Sequence, residues 1–276
     1  MNEVELSGGV IEYEDTGGDG PVLVFLHGVT MDGSLWRHVV ASLCGDFRCI
    51  VPTLPLGGHH KPMKPDADLS LTGIAALVGE FVERLGLNDV ILIQNDWGGI
   101  QILLAVGDTS RLGRLVITSS EAFGNYPPPP GRVIALAARI PGGLVAMMQA
   151  LRFTAVRRAP GSWAWMSKRP VPKAVMDEWF RPATTSREIR RDLAKYATSV
   201  PPRPRLLEMA QRSAEFDRPV LIVWAAEDRV MPVEHGRKLA ALFPNAKLIE
   251  IDDSYTLIPE DQPEKLAEVI REFVTG

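Results

Sequence analysis

Among the 276 residues of this chain, the stretch best placed to do chemistry is Leu92-Ile93-Gln94-Asn95-Asp96-Trp97-Gly98-Gly99-Ile100. A β-branched apolar run from Val90 to Ile93 drives into an acidic side chain, an indole and two glycines, and a helix-like pattern (Ile100, Leu103, Leu104) follows at once. Strand, sharp turn and glycine-opened helix together describe a nucleophile elbow, in which a strained turn lifts one reactive side chain above the sheet edge. Here that side chain is Asp96. A carboxylate nucleophile suits displacement at carbon, because attack forms an alkyl ester that water can later cleave. The bland alternative is a turn aspartate that satisfies backbone N–H groups; the strand before it and the glycine pair after it weigh against that.

Alternating strands and helices must position such a residue. Strand signals fall at Val4–Leu6, Val10–Tyr13, Val22–Leu26, Arg48–Val51, Val90–Asn95, Leu115–Ile117, Val220–Trp224 and Lys247–Ile251. Helical patterns follow Trp36, Ser70 (a plausible N-cap), Ile100, Val233 and Gln262. Continuous apolar strands separated by helices imply a mostly parallel central sheet flanked by helices, an α/β fold with right-handed crossovers. Sites form at the carboxyl ends of such strands. Asp96, Glu121, Asp228 and the loop at His27 all fall there. Between about 122 and 206 the texture changes to prolines, tryptophans and helical patterns without strands, bracketed by Pro127–Pro130 and Pro201-Pro202-Arg203-Pro204. The expected organisation is therefore a core of residues 1–121 and 207–276 with a helical cap, 122–206, inserted after the sixth strand.

Composition sets broad limits. At 46% hydrophobic residues the chain can bury a sizeable core, and 30 basic against 34 acidic residues give a net charge of −4. That balance points away from nucleic acid and from an anionic membrane as partners, leaving a small-molecule substrate. The acidic start, Met1 to Glu5, lacks the layout of a signal peptide, and a cytoplasmic protein is expected. Cys44 and Cys49 read as buried small hydrophobes. The adjacent His59-His60 pair has no third ligand at a recognisable spacing, so neither a metal nor a cofactor is expected.

Taken together these residues resemble the α/β-hydrolase fold, and within it the haloalkane dehalogenase and epoxide hydrolase branch. His27-Gly28 after the third strand is similar to the family's oxyanion-loop motif, Asp96-Trp97-Gly98-Gly99 to that branch's nucleophile motif, and Ala226-Glu227-Asp228-Arg229-Val230-Met231-Pro232 to the segment carrying the acid. The resemblance implies a cofactor-independent hydrolase in which Asp96 attacks a halogen-bearing or epoxide carbon of a small apolar substrate. The backbone N–H groups of Val29 and Trp97 would form the oxyanion hole. The Trp97 indole would hold a departing halide, and Asp228 would orient a histidine that activates water. Some dehalogenases carry their acid after the sixth strand, where Glu121 stands here; its plainer reading is an exposed loop carboxylate.

One part of the pattern departs. The family's histidine belongs in the loop Asp252 to Pro263, where Ser254 and Tyr255 stand at the expected Gly-His positions and no histidine follows His235. A neutral tyrosine, with a pKa near 10, is a poor general base at neutral pH. His59, on the same rim as Asp96, is the candidate for a relocated base; its plainer reading is a solvated loop histidine. Without any base the ester would form and stall. The alternatives are then a pseudo-hydrolase that only binds a ligand, or a non-hydrolytic biosynthetic enzyme. Gln94 also stands where the elbow usually takes a small residue, and Tyr126 and Tyr196 are the tyrosines that the helical insertion could offer the site.

Overall fold

A computed structural model describes residues 1–276, the side chain of Ala164 aside. Eight strands form one sheet: β1 (Asn2–Leu6), β2 (Gly9–Asp15), β3 (Val22–Leu26), β4 (Arg48–Pro52), β5 (Val90–Asp96), β6 (Leu112–Ser120), β7 (Val220–Ala225) and β8 (Ala246–Ile251). Their order is β1-β2-β4-β3-β5-β6-β7-β8. The hairpin β1–β2 and the β2–β4 pair are antiparallel; every pairing from β4 through β8 is parallel. All eight strands fall where the sequence signals place them; β3, β5 and β7, covered on both faces, read as nearly unbroken hydrophobic stretches, whereas β1 and β8 at the sheet edges are partly exposed and carry polar residues. In β5 every residue from Val90 to Asp96 is buried. Burying each of its Val, Ile and Leu side chains contributes roughly 1.5–3 kcal/mol.

Helices cover both faces. α1 (Arg37–Leu43) follows a 3-10 turn, Gly33–Trp36, after β3; α2 (Leu71–Arg84) precedes β5; α3 (Gly99–Val106) follows it. The Ser70 hydroxyl accepts from the Gly73 N–H at 3.0 Å and caps α2, satisfying a donor that the first helical turn leaves unpaired. After β6 come α4 (Pro129–Arg139), α5 (Gly143–Ala150), α6 (Thr154–Arg157), α7 (Lys173–Thr185) and α8 (Arg187–Thr198), with no strand among them. Then α9 (Arg203–Ser213) spans the boundary expected at 206 and packs on α3, which also packs on α2. α10 (Val233–Leu242) lies on β7 and β8, while α11 (Ile258–Asp261) and α12 (Pro263–Thr275) close the chain against α1. Among the described residues no helix is long and apolar enough to cross a membrane.

One smaller expectation changes. Cys49 is buried, and burial pushes its thiol up to about 12, but Cys44 at the end of α1 is exposed. Trp179 is fully buried with its indole N–H on Ser34 Oγ at 2.9 Å, and Trp165 is on the surface.

Candidate active site

The elbow is built as its sequence requires. Asp96 has φ 65°, a left-handed conformation in which a residue with a Cβ is strained, and α3 begins three residues later. Two glycines make the turn possible. A Cβ at Gly98 would lie 2.0 Å from the Tyr126 hydroxyl and 2.4 Å from the Glu121 carbonyl oxygen; at Gly99 it would lie 2.2 Å from the Trp97 ring, which folds back over the helix start. Gln94, far from being misplaced, braces the turn. Its Oε1 accepts from the Ile100 N–H at 2.7 Å, and its Nε2 donates to Gln101 Oε1 at 2.6 Å and Ser120 Oγ at 3.0 Å. A buried amide with three partners serves as an N-terminal cap for α3, which has none from its own cap residue, Gly98.

The Asp96 carboxylate points at the loop after β3. Its Oδ2 accepts from the Val29 N–H at 3.2 Å, and a Cβ on Gly28 would sit 1.9 Å from that same oxygen. The Trp97 N–H, by contrast, donates to the Asn95 carbonyl at 2.8 Å. Of the two backbone donors expected to form an oxyanion hole, the structure therefore brings one, Val29, to the site and commits the other to the turn. The Trp97 indole N–H remains buried without a hydrogen-bond partner.

Burial pushes the Asp96 carboxyl up to about 7, against the Val29 hydrogen bond that lowers it and with the Asp228 charge adding to the rise. Glu121 is beside it: β6 pairs Asp96 with Ser120, and the Glu121 N–H donates to the Asp96 carbonyl at 2.9 Å. Far from being an exposed loop carboxylate, Glu121 is 3% exposed, and burial reinforced by Asp96 holds its carboxyl well above the usual range. The Gly98 N–H donates to its Oε2 at 3.4 Å. Tyr196, from α8, reaches the same cavity, and burial pushes its hydroxyl well up, with the Glu121, Tyr126 and Asp96 charges adding to the rise. Tyr126 takes a different place, donating to the Gly98 carbonyl at 2.8 Å.

Asp96, Glu121 and Tyr196 line one narrow cavity. Its walls are otherwise apolar: Pro127, Pro128, Ile134, Trp163, Met166 and Val230 among them. Trp163, edge-on to Phe180 at 4.8 Å, also has an indole N–H without a partner.

The acid at the end of β7 is in place, but its partner differs from the expected one. Asp228 Oδ1 accepts from Val230 N–H (2.9 Å), Met231 N–H (2.8 Å) and the Thr256 hydroxyl (2.7 Å), while Oδ2 is buried and unpartnered. Burial raises its carboxyl. The residue standing at the acid is thus Thr256, one position beyond Tyr255. Tyr255 packs instead under Arg229, whose guanidinium lies 4.2 Å from the ring centroid. The Asp261 carboxylate fixes this register by accepting the Tyr255 N–H at 2.9 Å, and β5 reinforces it through Asn95 Nδ2, which donates to the Thr256 carbonyl at 2.8 Å.

His59 does not reach the cavity. Its Nδ1 accepts from the Gly57 N–H at 3.3 Å and its Nε2 lies 3.3 Å from Asp192 Oδ2 on α8. Buried at 3% exposure, it is neither a solvated loop histidine nor a relocated base at Asp96; it ties the loop after β4 to α8. His27 is likewise occupied, its Nε2 accepting from the Leu54 N–H and its Nδ1 against the Gly28 carbonyl, and burial pushes its imidazole down to about 4.

An eight-stranded sheet with a strained acidic elbow after its fifth strand is matched by the family model described as alpha/beta hydrolase fold, over residues 21–263. The chain belongs to the α/β-hydrolase fold family. Several of its curated relatives are named as enzymes. It is 29% identical over 280 residues to the cis-3-alkyl-4-alkyloxetan-2-one decarboxylase of Xanthomonas campestris pv. campestris, covering 96% of this chain and 92% of that one. It is 29% identical over 276 residues to haloalkane dehalogenase 2 of Mycobacterium tuberculosis, with the same coverage. Among solved structures, a point mutant of the haloalkane dehalogenase DatA from Agrobacterium tumefaciens superposes with a TM-score of 0.80 at 19% identity, over 100% of this chain and 96% of that one. This α/β-hydrolase fold member thus shares its architecture with dehalogenases, and the site above is what must distinguish it.

Proposed function

We propose that the chain is a cofactor-independent enzyme whose Asp96 carboxylate attacks an electrophilic carbon of a small, largely apolar substrate. The substrate is a haloalkane or a strained cyclic ether such as an epoxide. The observation that carries this reading is the position of Asp96: strained on the elbow, held at Oδ2 by the Val29 N–H, and facing a cavity with apolar walls. Attack breaks the carbon–halogen or carbon–oxygen bond and leaves an alkyl ester on Asp96. A leaving halide would find the unpartnered indole N–H of Trp97, and an opened alkoxide the Tyr196 hydroxyl and the Glu121 carboxyl. Burial raises both groups and so favours their protonated forms, as a proton donor to an alkoxide requires.

A second reading concerns how the ester leaves. Thr256 at Asp228 supports a cycle that needs no activated water. An oxetan-2-one, the class named for the Xanthomonas relative, fits such a cycle. Attack by Asp96 at the ring carbon bearing oxygen would release a carboxylate on the same product. Loss of that carboxylate as CO2 would form the alkene and expel Asp96, with every atom balanced and no water consumed.

Product analysis with a panel of 1-haloalkanes, alkyl epoxides and alkyl oxetan-2-ones tests both readings. Halide or diol release abolished by Asp96→Asn supports the first; alkene and CO2 release abolished by the same change supports the second. Turnover that survives Asp96→Asn contradicts both.

A further inference from the structure

Residues 122–176 contain eight arginines and lysines and not one aspartate or glutamate. With a net charge of −4 for the chain, this +8 segment leaves −12 on the remaining residues. The expectation that no membrane surface is a partner rests on the whole-chain total, which conceals that asymmetry. The same segment holds every exposed large apolar side chain among the described residues except Met1 and Val106. On α4, Val133 and Leu136 stand three apart on the outward side of a helix whose other side buries Ile134 and Ala135, and Ile140 follows just past its C-terminus. Val133, Leu136 and Ile140 are 54%, 60% and 51% exposed. α5 packs on α4 and adds Val145, and Phe153 (66% exposed) and Trp165 (39%) follow in the chain.

The cations are interleaved with this surface. Arg158, Lys168 and Arg169 share one groove, and Arg152 and Lys173 line the next. Lys168, Arg169 and Lys173 are offset by Glu227, Asp253 and Asp177, whereas Arg132, Arg139, Arg152 and Arg158 have no acidic partner among the described residues. Exposed apolar patches on monomers mark interaction sites. An apolar face among unneutralised arginines matches the acyl–headgroup boundary of an anionic bilayer: apolar side chains enter the first few ångströms while guanidinium groups meet lipid phosphates.

We propose that the outer face of the α4–α6 segment docks on the surface of an anionic lipid bilayer. The helix that presents Val133 and Leu136 outward is the one whose start, at Pro130, Gly131 and Ile134, lines the cavity beside Asp96. Docking would therefore seat the cavity's apolar wall at the membrane, where lipophilic molecules collect. The inference stands on surface charge and exposure, and does not depend on what Asp96 does.

Vesicle co-sedimentation of the full chain tests it, with phosphatidylcholine alone and with phosphatidylcholine mixed with phosphatidylglycerol. Binding is expected only with the anionic lipid. Partitioning falls about fivefold for each of Arg139→Ser and Arg152→Ser, and falls to background in Leu136→Asp/Phe153→Asp, with circular dichroism unchanged. Trp165 is the only one of the six indoles that is exposed, so brominated lipid should quench it and Trp165→Phe should remove that quenching. The proposal is overturned by no binding to anionic vesicles, or by binding that Leu136→Asp/Phe153→Asp leaves intact. It is overturned equally if those changes dissolve a lipid-free dimer in the ultracentrifuge, which would make the face a self-interface.

Discussion

The Thr256 hydroxyl donates to Asp228 Oδ1 at 2.7 Å. An acid at the carboxyl end of β7 is thereby coupled to a group that cannot act as a base, and Asp228 Oδ2 remains buried without a partner. An imidazole at position 256 would find a carboxylate already positioned to orient it. Thr256→His is therefore expected to speed decay of the Asp96 ester by about 10²-fold or more, the usual contribution of a positioned general base. Adding Asp228→Asn should remove most of that gain. Rapid-quench measurement of ester decay checks both, and an unchanged decay in Thr256→His would show that water reaches the ester by another route.

Asp96 also carries a stability cost whose direction follows from its burial. Its carboxyl is raised to about 7 in the folded chain, against about 3.9 when unfolded. Below pH 4 both states are protonated and the group contributes nothing. From pH 4 to 7 the unfolded chain releases a proton that the folded chain retains, so stability falls as pH rises, by up to about 4 kcal/mol once above 7. Asp96→Asn is expected to raise Tm little at pH 4 and progressively more toward pH 8. Ester formation should run the other way, increasing through about pH 7 as the nucleophile ionises. A Tm gain independent of pH would contradict the first expectation, and a flat rate profile the second.

Two glycines against the site leave no room for a methyl. At Gly98 an added methyl meets the Glu121 carbonyl at 2.4 Å, a backbone atom that also accepts from Gln101 Nε2 at 3.1 Å; Gly98→Ala should cost about 3 kcal/mol. At Gly28 the methyl meets the Asp96 side chain, Oδ2 at 1.9 Å and Cβ at 2.6 Å; the carboxylate can rotate, but the Cβ moves only with the elbow backbone. Gly28→Ala should therefore cost about 1–3 kcal/mol as well, and lose about 10²-fold in the rate of ester formation because the attacking oxygen is displaced. Thermal melts alongside single-turnover rates check both; a Gly28→Ala chain that melts and reacts as the wild type does would contradict the expectation.

His59 and Asp192 form a clasp between the loop after β4 and α8, and Asp192 also accepts from the Met63 N–H at 2.9 Å. Burial pushes the His59 imidazole down, so the pair joins a neutral ring to a carboxylate. Removing the ring should cost about 1–3 kcal/mol, the penalty for stripping a partner from a buried polar group. His59→Ala is expected to lower Tm while leaving ester formation and decay within about twofold. Loss of chemistry with the melt unchanged would restore His59 as a base.

Much of this was legible in the sequence, and the exceptions share a cause. Apolar runs such as Val220 to Trp224 marked the central strands, because burial on both faces leaves a pattern that no tertiary detail can alter. Asp96 was legible because a strained elbow needs its two glycines in the adjoining positions. Long-range pairing was not. Nothing local says that Glu121 faces inward, that His59 reaches across to α8, or that Gln94 caps α3. The slip between Tyr255 and Thr256 is of the same kind. Loops have no periodicity to fix their register, and here it is set by Asp261 and Asn95, side chains from other elements. The charge asymmetry of residues 122–176 was present in the composition but lost in its sum.

The central claim is that Asp96 is a nucleophile at carbon, and intact-mass spectrometry after incubation with alkyl epoxides, haloalkanes and oxetan-2-ones tests it most directly. For at least one substrate the chain should gain the mass of the alkyl group or of the whole ring, mapped by proteolysis to the peptide containing Asp96 and absent in Asp96→Asn; an oxetan-2-one that turns over should instead yield alkene only in the wild type. An adduct on another residue, or product formation undiminished in Asp96→Asn, would contradict it.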